Sequence, residues 1–296
     1  MAVLTALCWA VLAIGLKLAL HTFSSGSIVW MRLIFAFALL LVAFTWKRRH
    51  WLEILRHPPW RGVLAGALIA FNYFGFMKGI ELTTASNAQI LIQLAPLSFA
   101  VISIILYREH PTLFQVIGML IALTGFGFFY WDQMLVSWDR LESFQIGNLW
   151  ILGAAASWAG FALLQKELTK TYKPQQFNLL IYAVAALLLL PTATFSEMQN
   201  VSFLPWVLVL FLAVNTVIAY GALSEALTRI PASHVSMIIA VNPLLTLAIM
   251  TYLTRMNVGW IHGEPVGWRG LIGALLVVVG VILTVTGRPR FTRERS

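Results

Sequence analysis

The segment ASNAQILIQLAPL, residues 85–97, has a second copy in the other half of the chain: ASHVSMIIAVNPL, residues 232–244. Both copies open with Ala-Ser and close with Pro-Leu, and both belong to long apolar runs. Tyr73 and Tyr220 precede the two copies by the same distance. Such a recurrence in register indicates an internal duplication, which decides how the chain folds.

Further matches extend the duplication over nearly the whole chain. The paired positions are Trp9 and Trp158, Lys17 and Lys166, Glu109 and Glu264, Gly118 and Gly273, and Gly125 and Gly280. Because the order of these motifs is the same in both halves, we predict a first repeat at residues 1–131 and a second at 147–287. A basic tail, residues 288–296, follows them.

The composition is that of an integral membrane protein. Of the 296 residues, 60% are hydrophobic and only 10% are charged, and the mean hydropathy is +0.84. A soluble domain needs far more surface charge. The eleven Asp and Glu lie at or beyond the ends of ten apolar runs, each close to the ~20 residues that a membrane helix needs. The predicted spans are 3–20, 27–46, 61–80, 85–106, 113–131, 147–165, 176–195, 204–224, 233–253 and 269–287.

These runs predict helices rather than strands. They show none of the strict alternation of polar and apolar residues that a membrane barrel requires, and a helix satisfies its backbone hydrogen bonds internally. The predicted fold is therefore all-α, with ten transmembrane helices. The connections between the runs are mostly 5 to 16 residues long, which leaves no room for a soluble domain. The single Cys8 excludes an internal disulfide.

The basic residues predict the orientation. Placing both termini in the cytoplasm puts fourteen of the twenty Lys and Arg on that side: Lys47, Arg48, Arg49, Arg56, Arg61, Arg108, Lys166, Lys170, Lys173, Arg229, Arg288, Arg290, Arg293 and Arg295. The net charge of +9 follows from this bias and from attraction to anionic membrane lipid, so we do not expect nucleic-acid binding. The predicted location is the plasma membrane, of the prokaryotic inner-membrane type.

Five spans per repeat is an odd number, so the second repeat is predicted to enter the membrane upside down relative to the first. Inverted repeats are typical of secondary transporters, in which two interchangeable halves enclose a site near the membrane midplane. The sequence therefore predicts a carrier of small molecules that works by alternating access.

The same motifs resemble those of the EamA-like permeases of the drug/metabolite transporter superfamily. The resemblance lies in Ala85-Ser86, Pro96, Arg108-Glu109, Gly118 and Gly125, and in their counterparts in the second half. It implies ten helices, a central cavity lined by spans 1–4 and 6–9, peripheral spans 5 and 10, and export of small metabolites or amino acids. A multidrug or nucleotide-sugar exchanger of the same superfamily is the alternative, and a membrane receptor or assembly factor is the alternative outside transport.

The fourth span carries a polar face. Ser86, Gln89, Gln93 and Pro96 follow one another at helical spacing, and Ser236 and Pro243 lie on the matching span of the second half. Buried amides must be paired or face water, so we expect Gln89, Gln93 and Ser236 to contact either substrate or other helices. Pro96 and Pro243 each remove a backbone donor, which predicts a hinge or kink.

Aromatic residues within the spans are further candidates for the cavity wall. Trp9 and Trp158 lie away from the membrane interfaces where Trp usually resides, and Tyr73 and Tyr220 add hydroxyl groups. Asn72, next to Tyr73, belongs to the same candidate set. Core packing is the alternative reading of these aromatic side chains.

Arg32 is a cation well inside the second span, near its predicted outer end. We expect it to face the interior of the bundle, where it pairs either with Glu81 or with a substrate carboxylate. Lys17 and Lys78, which lie nearer to span ends, are expected to extend to the membrane surface.

Catalytic and cofactor chemistry have no support in the sequence. It contains no His-Glu-x-x-His, no paired intramembrane Asp and no Gly-x-Ser-x-Gly, so we predict no catalytic residues, no metal site and no cofactor. No Asp or Glu lies midway through a span, so ion coupling would have to use Glu81, Glu225 or His234. The glycine pairs predict close helix packing, within a monomer or across a homodimer.

Overall fold

The structure is a computed structural model that describes residues 1–47, 49–107, 111–168, 170–229, 238–256, 259, 264 and 266–287. Within these residues every regular element is helical, which confirms the all-α prediction. The α-helices are α1 (Ala2–Ala19), α2 (Ser25–Lys47), α3 (Glu53–Arg56), α4 (Trp60–Leu82), α5 (Ala85–Leu91), α6 (Leu94–Tyr107), α7 (Leu113–Val136), α8 (Leu141–Leu168), α9 (Pro174–Leu189), α10 (Phe203–Arg229), α11 (Asn242–Arg255) and α12 (Trp268–Thr286). Short 3-10 helices occupy Arg49–Leu52, Trp138–Arg140, Leu190–Thr192 and Phe195–Met198.

Nine helical segments in the described part of the chain are long and apolar enough to cross a membrane. They contain α1, α2, α4, α7, α8, α9, α10, α11 and α12. The predicted span 85–106 is not among them, because it forms two shorter helices, α5 and α6. The residues of this predicted span are therefore divided between two helices.

The interruption between α5 and α6 lies one turn before Pro96. The Gln93 amide donates to the Ile90 carbonyl at 3.1 Å and the Ala95 amide to the Ile92 carbonyl at 2.9 Å, so the ladder tightens to i−3 bonds here. A proline offers no amide to the carbonyl four residues earlier, and its ring clashes with that carbonyl. Residue 241, just before Pro243, is likewise a turn between two helical stretches.

Helices α7 and α12 pack against each other through glycines along their length. A Cβ on Gly118 would lie 2.7 Å from the Gly280 carbonyl oxygen, and a Cβ on Gly273 would lie 2.7 Å from that of Gly125. Since Gly118 pairs with Gly273 in the repeat, and Gly125 with Gly280, the two contacts are counterparts of each other. The glycines therefore serve packing within one chain.

Helices α4 and α8 are joined by the same positions that join α10 and α1. The Asn72 amide donates to the Ala154 carbonyl at 2.8 Å, and the Thr5 hydroxyl donates to the Ala219 carbonyl at 3.2 Å. Thr5 and Ala154 occupy matching positions of the two halves, as do Asn72 and Ala219. The same two positions are therefore hydrogen-bonded in both halves, but the donor and the acceptor are exchanged between the two helices.

A second matched pair lies one turn away. Asn215 donates to the Cys8 carbonyl at 3.0 Å, while Ser157 donates to the Leu68 carbonyl at 2.7 Å. Cys8 matches Ser157, and Leu68 matches Asn215. These helix pairs, together with α2 against α9, surround the buried core of the bundle.

Candidate functional site

Arg32 lies in the interior of the bundle, where it is only 3% exposed. Its Nε donates to the Thr216 hydroxyl of α10 at 2.6 Å, and that hydroxyl donates in turn to the Leu212 carbonyl at 2.8 Å. The guanidinium carbon lies 4.6 Å from the centre of the Tyr73 ring on α4, within cation–π range. Arg32 thus joins α2, α4 and α10 at one point.

The charge of Arg32 has no partner of opposite sign among the described residues. Only its Nε is hydrogen-bonded there; its two NH2 groups have neither a hydrogen bond nor an ion pair within the described residues. Glu81, one of the two expected partners, is instead bound by Lys78 and by the Ser25 hydroxyl, both at 2.7 Å. A buried cation is costly unless it is paired, so this guanidinium is available to an anion.

Further aromatic rings meet at Tyr220, one helical turn from Thr216. The ring of Tyr220, the counterpart of Tyr73 in the repeat, meets the Trp9 ring edge-on with the ring centres 5.8 Å apart, and the Tyr182 ring with the centres 6.5 Å apart. The structure therefore brings together four residues singled out from the sequence: Trp9, Arg32, Tyr73 and Tyr220.

Sequence reasoning missed Tyr182 and Thr216. Thr216 lies four residues before Tyr220 on α10, and Asn178 lies four before Tyr182 on α9, so each pair shares a helical face. Such a pair of polar side chains one turn apart, in an otherwise apolar span, was the signal that could have identified them.

A polar link lies where α1, α5 and α11 meet. Gln89 donates to the Trp9 carbonyl at 2.9 Å and accepts from the Asn242 amide at 3.4 Å. The Thr246 hydroxyl donates to the Ala10 carbonyl at 3.2 Å. Gln89 therefore contacts another helix, and Asn242, next to Pro243, is its partner that the sequence reading left out.

The remaining candidates are placed as follows. Asn72 donates its amide to the Ala154 carbonyl, and Gln93 is buried in the turn between α5 and α6. Trp158 is half-buried and packs on the main core. Ser236, like His234 and the tail 288–296, lies outside the described residues.

At one end of the bundle, which we call the Glu264 end, side chains bind the backbone groups that helix termini leave unpaired. Both oxygens of the buried Glu264 carboxylate accept from amides of α5, from Ala85 at 2.7 Å and from Ser86 at 2.9 Å. The Thr84 side chain accepts from the Asn87 amide at 3.0 Å. Three of the four unpaired donors at the start of a helix are thereby satisfied, and the carboxylate complements the helix dipole.

Lys17 serves the same end of the bundle. Its Nζ donates to the Ile80 and Thr83 carbonyls at the C-terminus of α4, at 2.9 and 3.1 Å. The ammonium of Lys17 thereby caps the C-terminus of a neighbouring helix.

Outside the spans, Glu197 holds the start of α2. Burial by itself raises the pKa of the Glu197 carboxyl, but hydrogen bonds from Ser24 and Ser27 outweigh burial and keep the pKa below its usual value. One of them is the Ser24 amide, at 2.8 Å. Among the described residues no three His, Cys, Asp or Glu come together as metal ligands would.

Known proteins resemble this chain over nearly its whole length. The model of the EamA-like transporter family matches residues 1–131 and 145–286. An uncharacterised transporter of Haemophilus influenzae is 29% identical, covering 97% of this chain and 94% of its own length. The inner membrane transporter YhbE of Escherichia coli K12, also uncharacterised, is 28% identical, covering 97% and 90%.

A solved crystal structure has the same fold, with a TM-score of 0.63 at 17% identity, covering 95% of this chain and 94% of its own. Both of these sequence relatives are named as transporters. With a family model matched in both halves, this multi-pass membrane protein belongs to the EamA-like transporter family.

Proposed function

We propose that this transporter exports small metabolites that carry a carboxylate group, amino acids or related zwitterions, across the plasma membrane. The observation that carries the proposal is the buried guanidinium of Arg32, whose two NH2 groups have no partner among the described residues. A carboxylate accepts two parallel hydrogen bonds from a guanidinium, and it would neutralise the charge at the same time. The aromatic rings of Trp9, Tyr73 and Tyr220 suit the apolar part of such a solute.

The matched contacts of the two halves support alternating access. We propose that ten spans form two inverted repeats of five, with α5 and α6 together making the fourth. Gly118 against Gly280 and Gly125 against Gly273 are what a two-fold axis in the membrane plane would produce. Arg32 of the first half binds Thr216 of the second, so exchange of the two arrangements would expose the site to either face.

The distribution of charge supports an orientation with both termini in the cytoplasm. The Glu264 end is then the outer end, and the hydrogen bonds of Glu264 and Lys17 belong to its closed form. Counted along α2, Arg32 lies about 10 Å from that end, at ~1.5 Å per residue. Opening of the outer end would therefore have to break these hydrogen bonds.

Counterflow in proteoliposomes tests the function. We expect vesicles preloaded with an unlabelled amino acid to accumulate the labelled one. Arg32→Gln should lower uptake at least about tenfold, since a charge-assisted hydrogen bond contributes about 1.5–3 kcal/mol. Arg61→Gln is the matched control, because Arg61 is half exposed in a surface pair with Glu167 and should leave uptake unchanged.

Unchanged uptake in Arg32→Gln, with an unchanged unfolding temperature in detergent, would refute the assigned role of Arg32. Absence of counterflow for every carboxylate tried with wild-type protein would refute the substrate class.

A further inference from the structure

Tyr182 is a buried hydroxyl with no assigned role. It lies on α9, its side chain is fully buried, and among the described residues its hydroxyl has no hydrogen-bond partner. A buried tyrosine hydroxyl usually finds a partner, because leaving it unpaired costs about 1–3 kcal/mol. Such a group inside the bundle requires either a ligand or a structural reason.

The surroundings of Tyr182 are those of Arg32. Its ring meets Tyr220 edge-on, with the ring centres 6.5 Å apart and the planes at 84°. Tyr220 lies one helical turn after Thr216, the residue that accepts a hydrogen bond from Arg32. Helix α9 packs against α2 and α4, the helices that carry Arg32 and Tyr73. The unpartnered hydroxyl and the unpartnered NH2 groups therefore lie on helices that pack together in the core.

The two groups are chemically complementary toward one kind of ligand. A carboxylate has two oxygens with about four acceptor sites, and an arginine fork occupies only two of them. A tyrosine hydroxyl can donate to a third. A neutral amide offers a single acceptor oxygen and adds donors, which would face the donors of Arg32.

We propose that Tyr182 donates a hydrogen bond to the anionic group of the substrate, and that Arg32 and Tyr182 together select carboxylates over the corresponding amides. This subsite rests on the proposed function. It makes Tyr182 a specificity-determining residue. Tyr182 lies on α9, which carries none of the site residues predicted from the sequence.

The test compares Tyr182→Phe with wild-type protein in proteoliposomes, using leucine and phenylalanine and their amides as substrates. Phenylalanine at position 182 keeps the ring and its contact with Tyr220 and removes only the hydroxyl. We expect KM for the carboxylates to rise at least about tenfold, with KM for the amides unchanged. Tyr252→Phe is the matched control, because Tyr252 is 61% exposed on α11 and should leave both KM values unchanged.

A second measurement uses wild-type protein alone. Binding of the carboxylate should raise the unfolding temperature in detergent, and the same concentration of the amide should raise it much less. Equal shifts for both would overturn the subsite, whether or not the variant folds.

The outcomes separate this inference from the function on which it rests. A wild-type protein that carries carboxylates, together with a Tyr182→Phe protein of unchanged KM, would overturn the subsite alone. An equal rise in KM for carboxylate and amide would assign Tyr182 a structural role and overturn it as well. A wild-type protein that carries no carboxylate would overturn the proposed function and the subsite together.

Discussion

At the residue scale, Glu264 and Arg32 are two buried charges whose surroundings are opposite in kind. The Glu264 carboxylate is bound by two backbone amides, those of Ala85 and Ser86. Arg32 donates one hydrogen bond to a neutral hydroxyl and lies against the face of the Tyr73 ring. Its remaining donors have no partner in the described part of the chain. A charge whose bonds are made within the protein stabilises the fold, whereas one with unused donors suits a ligand.

Glu264→Ala should therefore destabilise the protein. It leaves the buried amides of Ala85 and Ser86 without acceptors, at a cost of about 1–3 kcal/mol. We expect a lower unfolding temperature in detergent than for wild-type protein. Glu142→Ala, which removes an exposed carboxylate from the first turn of α8, is the control and should unfold as wild type does. The same unfolding temperature for both variants would contradict the capping role of Glu264.

At the element scale, a break in one helix and the fit between two others shape the bundle. The turn at Ile92–Gln93 divides the predicted span 85–106 into two helices. The first of these, α5, begins at the Glu264 end, where side chains bind its first amides. The contact of α7 with α12 depends on residues without side chains, because the backbones approach too closely for a Cβ. The apolar run predicted the length of the span 85–106, but only Pro96 explains why it is divided into α5 and α6.

Gly273→Ala should loosen the contact between α7 and α12. The added Cβ would lie 2.5 Å from the Phe129 amide nitrogen and 2.7 Å from the Gly125 carbonyl oxygen, so the helices must move apart. We expect a loss of about 1–3 kcal/mol, measured as a lower unfolding temperature in detergent. Gly118→Ala, its counterpart, should lose a similar amount.

Gly127→Ala provides the control on the same helix pair, since nothing lies within 4 Å of the added atom. It should leave stability unchanged or raise it slightly, because alanine favours a helix more than glycine does. Equal effects of Gly127→Ala and Gly273→Ala would show that helix propensity, not the interhelical contact, governs this element.

At the scale of the whole molecule, several contacts between one pair of helices have a counterpart in another pair. Asn72 with Ala154 corresponds to Thr5 with Ala219, although no side chain in the first contact is kept in the second. Geometry is thus matched more closely than residue type. This is expected when two halves keep one packing arrangement while their sequences diverge.

Cysteine labelling tests the proposed topology. In a Cys8→Ser background, cysteine replaces the exposed Asp139 or the exposed His57, which lie in connections of predicted opposite sidedness. We expect an impermeant maleimide to label Asp139→Cys in intact cells and His57→Cys only after the membrane is opened. Labelling of both positions in intact cells would refute the orientation and the inverted repeat with it.

Much of the candidate site could be predicted from particular residues. Trp9, Tyr73 and Tyr220 stood out because the repeat pairs them with counterparts, and Arg32 because a cation inside an apolar run is rare. The repeat did not single out Tyr182, and only its spacing from Asn178 on α9 could have identified it. Gln89 was identified, but its bonds to Trp9 and Asn242 depend on how three helices meet.

The amino-acid sequence by itself determined that this protein is helical and lies in a membrane, and it predicted the internal repeat, because hydropathy and recurring motifs can be observed in the chain directly. The tertiary structure alone decided that Lys17 caps α4, that Lys78 and Ser25 occupy Glu81, and that Arg32 meets Thr216 and Tyr73. The physical reason is that apolar residues cover both the lipid-facing and the buried sides of a membrane helix, so hydrophobic periodicity does not reveal which side faces inward. Only the packing of the helices sets their rotation, and rotation selects the side chains that meet.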